Sequence, residues 1–277
     1  MIRLKYFNTL LICILSVFTS QVYSTGISVD AGLNPAEDRW ILRMQYRQMS
    51  VDAAMHKMSN DMLMAVLAYG YTQDVTIMIK QMATRSVMSM SGTDKVTSGL
   101  TDLTVLGKFG MYRKNTRNLT LALASTLALK MPTGSENITS GTWDWQAGLY
   151  GSWRSGRWGN DINMTYSWNG FTGPAPSGLK PGDVIGFDTA FSYQFSIGSS
   201  ADISLTPVFE FNYRHSMANQ YDDREADGAG SIFFISPGLK FTRNSFIIEI
   251  LVQFPVEETY QNLDQKRRGL IGFRYMF

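Results

Sequence analysis

Between residues 203 and 214 every second side chain is apolar. Ile203, Leu205, Pro207, Phe209, Phe211 and Tyr213 share one side of an extended backbone; Ser204, Thr206, Glu210, Asn212 and Arg214 share the other, with Val208 the exception. A strand with one wholly apolar face must bury it, either in a protein core or in hydrocarbon. The same period recurs in 143–153, where Trp143, Trp145, Leu149 and Trp153 oppose Asp144, Gln146 and Ser152. In 158–168, Trp158, Ile162, Met164, Tyr166 and Trp168 oppose Asp161, Asn163, Thr165 and Ser167. Leu119 to Leu129 alternates leucine with small residues, and 185–195 and 246–254 continue the pattern. Segments 62–71 and 75–85 are weaker, because Met62, Met64 and Val66 make both faces apolar. No unbroken apolar stretch after residue 24 reaches the length of a membrane-spanning helix, so a membrane crossing has to be made by strands.

The last ten residues sharpen the choice of solvent. Ile271, Phe273, Tyr275 and Phe277 lie on one face, Arg268, Gly272 and Arg274 on the other, and the apolar row runs to the final residue. In a soluble sandwich this would be an aromatic edge strand with no polar tail to cover it. In a membrane barrel the last strand pairs with the first, and no edge is left in lipid. The stretch also resembles the terminal aromatic strand that the barrel assembly machinery of Gram-negative outer membranes recognises, which makes Phe273, Tyr275 and Phe277 the expected assembly signal.

Residues 1–24 read as a signal peptide: Arg3 and Lys5 form a charged start, Leu10 to Phe18 an apolar run, and Thr19 to Ser24 a polar tail. The run is too short to span a bilayer. Cys13, the single cysteine of the chain, sits inside it, so the mature protein is expected to hold no thiol, disulfide or cysteine-bound metal. Cleavage after Ser24 removes two of the 25 basic residues and none of the 23 acidic ones, which leaves 23 of each. Without a basic surplus there is nothing to draw nucleic acid.

The connections alternate in length. Short ones fall near 72–74, 114–118, 154–157, 196–201 and 242–245; longer ones fall near 50–61, 87–99, 131–142, 169–183, 215–228 and 255–267. Short periplasmic turns and long outer loops are the habit of outer-membrane barrels, and this spacing gives about twelve strands with both ends in the periplasm. Trp40, Trp143, Trp158, Trp168, Tyr213 and Phe277 fall at strand ends, where headgroups lie. The predicted fold is all-β: a transmembrane antiparallel up-and-down barrel over residues 38–277, preceded by a cleaved signal peptide. Residues 25–37, with Gly26, Gly32 and Pro35, show no strand pattern and are expected to trail in the periplasm, the alternative being a small plug in the lumen.

Four stretches carry a family resemblance: Gly-Leu-Thr-Asp-Leu (99–103), Leu-Lys-Met-Pro-Thr-Gly (129–134), Thr-Trp-Asp-Trp (142–145) and Ser-Pro-Gly-Leu-Lys-Phe (236–241). In this order the chain from about residue 38 onward resembles the outer-membrane family associated with meta-pathway phenol degradation, whose members are often called transporters. Thr101 stands where that family usually has a second glycine. The resemblance implies a barrel that passes small compounds, aromatic or apolar ones among them.

With the apolar rows in lipid, the opposite rows bring Arg43, Arg47, Lys80, Lys108, Asp144, Asp161, Asp188, Glu210, Arg214, Lys240, Glu249, Arg268 and Arg274 inward as pore-lining candidates. Both signs are present, which speaks against a strongly anion-selective pore. They form either a polar constriction for small solutes or ion pairs that keep the cylinder round. Pro207 and Pro237 sit on consecutive strands of the lipid-facing row and cannot donate to a ladder, so a wall bulge or a lateral opening is expected there. His56 and His215 are the only histidines, no G-x-S-x-G elbow occurs, and neither a catalytic nor a metal site is expected. The acidic loop from Tyr221 to Asp227 is expected to meet solvent or surface cations. The resulting reading is an outer-membrane, porin-like channel for passive uptake, no enzyme and without a cofactor. Its partners would be outer-membrane lipid, the assembly machinery and small-molecule solutes. The competing class is a non-transport barrel, either a lipid-acting enzyme or a structural protein.

Overall fold

A computed structural model of the chain describes residues 26–53, 56–90, 92–171, 178–198, 203–221, 224–260 and 263–277. The expected signal peptide, Thr25, and Asp222 and Asp223 of the acidic loop lie outside the described residues. Within them, twelve antiparallel strands make the wall: β1 Trp40–Ala53, β2 Lys57–Gly70, β3 Val75–Met90, β4 in two pieces, Thr93–Leu100 and Leu103–Asn115, β5 Leu119–Met131, β6 Asp144–Ser155, β7 Trp158–Trp168, β8 Val184–Tyr193, β9 Ile203–Ser216, β10 Gly230–Arg243, β11 Phe246–Glu258 and β12 Arg268–Met276. Each strand pairs with its neighbours in sequence, and β12 pairs with β1 from Ile41↔Met276 to Gln48↔Gly269. That last ladder closes the cylinder and leaves no edge in lipid.

Alternation becomes orientation. On β9, Pro207, Phe209 and Tyr213 are exposed on the outer surface, while Ser204, Thr206, Val208, Glu210 and Asn212 are buried inside. Leu239, Phe241, Ile248, Ile250 and Ile271 continue the outer apolar band around β10 to β12. Aromatic pairs rim the end that carries both termini of the wall, with ring centroids 4.5 Å apart for Trp40 and Tyr69, 4.7 Å for Trp158 and Tyr193, and 5.6 Å for Tyr275 and Phe277. This is an amphipathic belt at one interface; Trp143, Trp168 and Tyr213 lie towards the other. Two of the tight turns open on a residue in the left-handed region, Gly156 (φ 56°) and Asn244 (φ 52°), as two-residue hairpins require.

Two of the expected long loops are not loops. β1 and β2 stay paired to Asp52↔Lys57, and β3 and β4 to Met90↔Thr93. Beyond the membrane neither face of a strand meets lipid, so the ladder continues through residues that show no period-two contrast, and sequence alone places a loop there. The loops over 169–183 and 217–229 contribute a separate small sheet at the outer rim, formed by Leu179–Lys180, Asn219–Tyr221 and Arg224–Ala226.

Candidate functional site

Twelve strands enclose more room than wall side chains alone fill, since eight already fit closely around their own interior. Residues 26–35 occupy that room. Ile27 and Val29 are fully buried and pack with the inward-facing Ala190, Val208, Leu251 and Leu270. Gly238 leaves the space that Ile27 uses, because a β-carbon there would lie 2.7 Å from Ile27 Cδ1. A segment without secondary structure must still satisfy its backbone groups inside a lumen, and the inward rows supply the partners. Gly26 N–H donates to Asp161 (3.0 Å), Gly32 N–H to Ser152 Oγ (2.8 Å), and the N–H groups of Ile27 and Ser28 to Glu210. The carbonyl of Ile27 accepts from Gln45 (3.0 Å) and Arg43, while those of Ala31 and Leu33 accept from Lys108 Nζ (3.1 and 2.7 Å). At the rim, Asp38 N–H and Gly70 C=O meet at 2.9 Å. The expectation of a periplasmic tail for residues 25–37 is therefore corrected over 26–35, which form an internal plug, while Ala36 and Glu37 are exposed at the rim. Apolar inward residues and charged groups with spare hydrogen-bonding capacity would otherwise face an empty bore.

The pore-lining candidates all project inward, yet most are engaged rather than lining open space. Arg43 holds Glu249 at 3.1 Å and Asp30 of the plug at 3.2 Å; Arg274 holds the other oxygen of Glu249 at 3.2 Å. Arg47 donates to Gln45 (2.7 Å), and Lys80 is half-buried further along the inner wall. Asp161 pairs with Arg154 at 2.6 Å, and both are almost fully buried. Asp188 accepts bidentately from Arg214 (2.7 and 2.9 Å). Asp144 pairs with Lys130 near the outer end, and Arg268 donates to Gln265 with its guanidinium 4.3 Å above the Phe234 ring. Glu210 and Lys240 are buried, and among the described residues no cation pairs with Glu210 and Lys240 Nζ has no hydrogen-bond partner. Sequence reasoning missed Arg154, Gln45 and Tyr150. Arg154 lay in a presumed turn, and uncharged residues carry no signal of an inward role beyond their place in the alternation.

Above the plug a polar vestibule of about 150 Å³, open to solvent, is floored by Ser28 and Asp30. Its walls include Tyr150, Asn163, Asp188 and Arg214.

The prolines do not form a joint gap. Both face outward, but β9 and β10 pair without interruption from Ile203↔Arg243 to Ser216↔Gly230, so the seam between them is closed. Pro207 instead falls where the β8–β9 ladder lapses between Ser192↔Val208 and Phe195↔Leu205, and Pro237 where β10–β11 lapses between Ile235↔Phe254 and Gly238↔Leu251. Each missing donor points away from the other proline. The register shifts lie elsewhere, between Phe233 and Phe234 on β10 and between Gly110 and Tyr112 on β4.

At the outer rim, Asp102 sits in the break between the two pieces of β4 and gathers the loop that follows β5. It accepts from Gly134 N–H (3.0 Å), Thr139 Oγ1 (2.6 Å), Ser140 N–H (3.0 Å) and Ser140 Oγ (2.8 Å). Burial alone would raise its carboxyl, but these donors outweigh it and hold the group below the usual carboxylate range. Two of the stretches that carry the family resemblance, 99–103 and 129–134, thus meet in space. His215 Nδ1 lies 2.9 Å from Ser231 Oγ, which also meets Tyr213 OH at 3.1 Å. These bonds tie β9 to β10. Among the described residues no three histidines, aspartates or glutamates are grouped to hold a metal ion.

A closed, lipid-facing barrel with aromatic rims and a polar interior is a bacterial outer-membrane protein. The family model described as "Putative MetA-pathway of phenol degradation" matches residues 53–263, and the chain belongs to that family. Among solved structures it is similar to an outer-membrane channel of Pseudomonas putida F1, with 18% identity, a TM-score of 0.72, and coverage of 90% of this chain and 100% of that one. It is also similar to the β-domain of the Bordetella autotransporter BrkA, with 9% identity, a TM-score of 0.53, and coverage of 88% and 100%. At these identities the likeness concerns the fold. No curated protein sequence matches.

Proposed function

We propose that the protein is a passive outer-membrane channel for small compounds whose bore is set by its own N-terminal segment. The observation that carries this reading is an inner wall made largely of charged and hydroxyl side chains, with one apolar cluster under Ile27 and Val29, in a cylinder wider than its side chains need, and a plug seated mainly by hydrogen bonds. The pore-lining candidates then act as a constriction whose mixed charge passes neither sign freely. The vestibule lining favours compounds that can hydrogen-bond, so the aromatic solutes expected from the family's association with phenol degradation would be hydroxylated ones, and wholly apolar ones would be poor substrates. Catalysis has no support in the geometry around His215, whose contacts are those of a cross-strand tie. Phe273, Tyr275 and Phe277, on the outer face of the closing strand, suit recognition by the assembly machinery before β12 meets β1. Reconstitution in planar bilayers, followed by liposome swelling with a graded panel of solutes, tests the reading. Small discrete conductance with faster swelling for small hydroxylated solutes supports it. No conductance and no swelling would leave a non-transport, structural barrel.

A further inference from the structure

The vestibule lining carries two carboxylates, Asp30 and Asp188, against one cation, Arg214. Asp188 is satisfied by the bidentate contact with Arg214, and those two charges cancel. Asp30 is different: its side chain is 52% exposed, and its one ion pair among the described residues is with Arg43 at 3.2 Å, an arginine held more fully by Glu249 and by the carbonyl of Ile27. In the lining of the same pocket Asn163 is 4% exposed, and its Oδ1 is buried without a hydrogen-bond partner among the described residues. A buried acceptor left without a donor is destabilising, and a donor that reaches it removes that penalty. Ser28 adds no free donor, because its hydroxyl donates to Glu210 and accepts from Asn212.

We infer that this vestibule is a binding site for a small solute bearing an ammonium or comparable donor-rich group, held between Asp30 on the plug and Asn163 on β7. The inference rests on the channel reading for the solute's route of entry and names its substrate class. It also gives the plug a part in recognition. A cationic group on Asp30 competes with Arg43, one of the contacts that seat residues 26–33, so an occupied site loosens the plug on the side that faces the solute.

The test uses the full mature chain in detergent micelles and ethanolamine as the probe, with ethylene glycol as the uncharged comparison, and reads binding by calorimetric titration. Ethanolamine is expected to bind saturably and ethylene glycol at least about tenfold more weakly, as loss of a charge-assisted contact requires. Asp30→Asn should weaken ethanolamine by a similar factor. Asn163→Asp should tighten it several-fold, a gain that damage to the fold cannot produce. Absence of saturable binding, equal affinity for the two probes, or no gain in Asn163→Asp overturns the inference. Binding without bilayer conductance would remove the channel reading and leave the site; conductance without binding would do the reverse.

Discussion

Removing the carboxylate of Glu210 should unseat the plug. Glu210 is fully buried on β9 and accepts from Ile27 N–H, from Ser28 N–H at 3.1 Å and from the Ser28 hydroxyl. Charge-assisted bonds of this kind contribute about 1.5–3 kcal/mol each. Glu210→Gln keeps the shape but turns one acceptor into a donor that faces other donors, so at least one bond is lost and the rest weaken. Relief from burying a carboxylate that makes no direct ion pair among the described residues offsets part of this. A net loss of about 1.5–3 kcal/mol raises the unplugged fraction roughly tenfold to a hundredfold. Because the single native cysteine lies in the expected leader, a lone Val29→Cys can report plug release through its rate of reaction with a small water-soluble thiol reagent. In the otherwise wild-type chain the fully buried position should react slowly, and in the Glu210→Gln background roughly ten to a hundred times faster. Equal rates would mean that Glu210 does not hold the segment and would refute the argument.

Asp102→Ala should free the loop over 132–143, seen as faster hydrogen exchange of Gly134 and Ser140, with a local loss of about 1–3 kcal/mol. Because the Asp102 carboxyl lies below its unfolded value, its contribution is fully present above the unfolded carboxylate range and is lost as pH falls through the lower folded value. The same amides should therefore be protected at neutral pH and lose protection only in acid. Leu239→Arg places a charge on the outer face and should cost about 2–4 kcal/mol if it meets the bilayer midplane, measured by urea titration of folding into vesicles; no change would place that face away from lipid. Replacing Pro207 and Pro237 together with valine should leave uptake of an apolar solute unchanged, since the ladder between them is already closed. Altered uptake in a flux assay would reopen the lateral route.

The wall was legible because lipid imposes one rule on every second residue, and segments such as 203–214 obey it. The plug was not, because its contacts are made largely by backbone N–H and C=O groups, which any sequence possesses. One signal did exist. Val208 broke the polar row of its strand, and in the structure it faces Ile27 and Val29 with Ala190, Leu251 and Leu270. An apolar residue on an inward row asks for something apolar in the lumen. The extended hairpins were illegible for the opposite reason, since pairing beyond the membrane needs no contrast between faces. Pro207 and Pro237 were placed correctly on the outer row, but which neighbour each missing donor faces depends on hydrogen-bond phase, which residue type does not encode.

Spin labels walked singly along β9 in bilayers test the central claim, that hydrocarbon meets one face of the wall and the protein's own N-terminal segment covers the other. Labels at Leu205, Phe209 and Phe211 should collide with dissolved oxygen and not with a water-soluble nickel complex, while labels at Ser204, Thr206 and Val208 should be shielded from both. Free access of the nickel complex to the second set would mean an open, water-filled lumen, and oxygen access to the second set alone would mean a wall turned inside out.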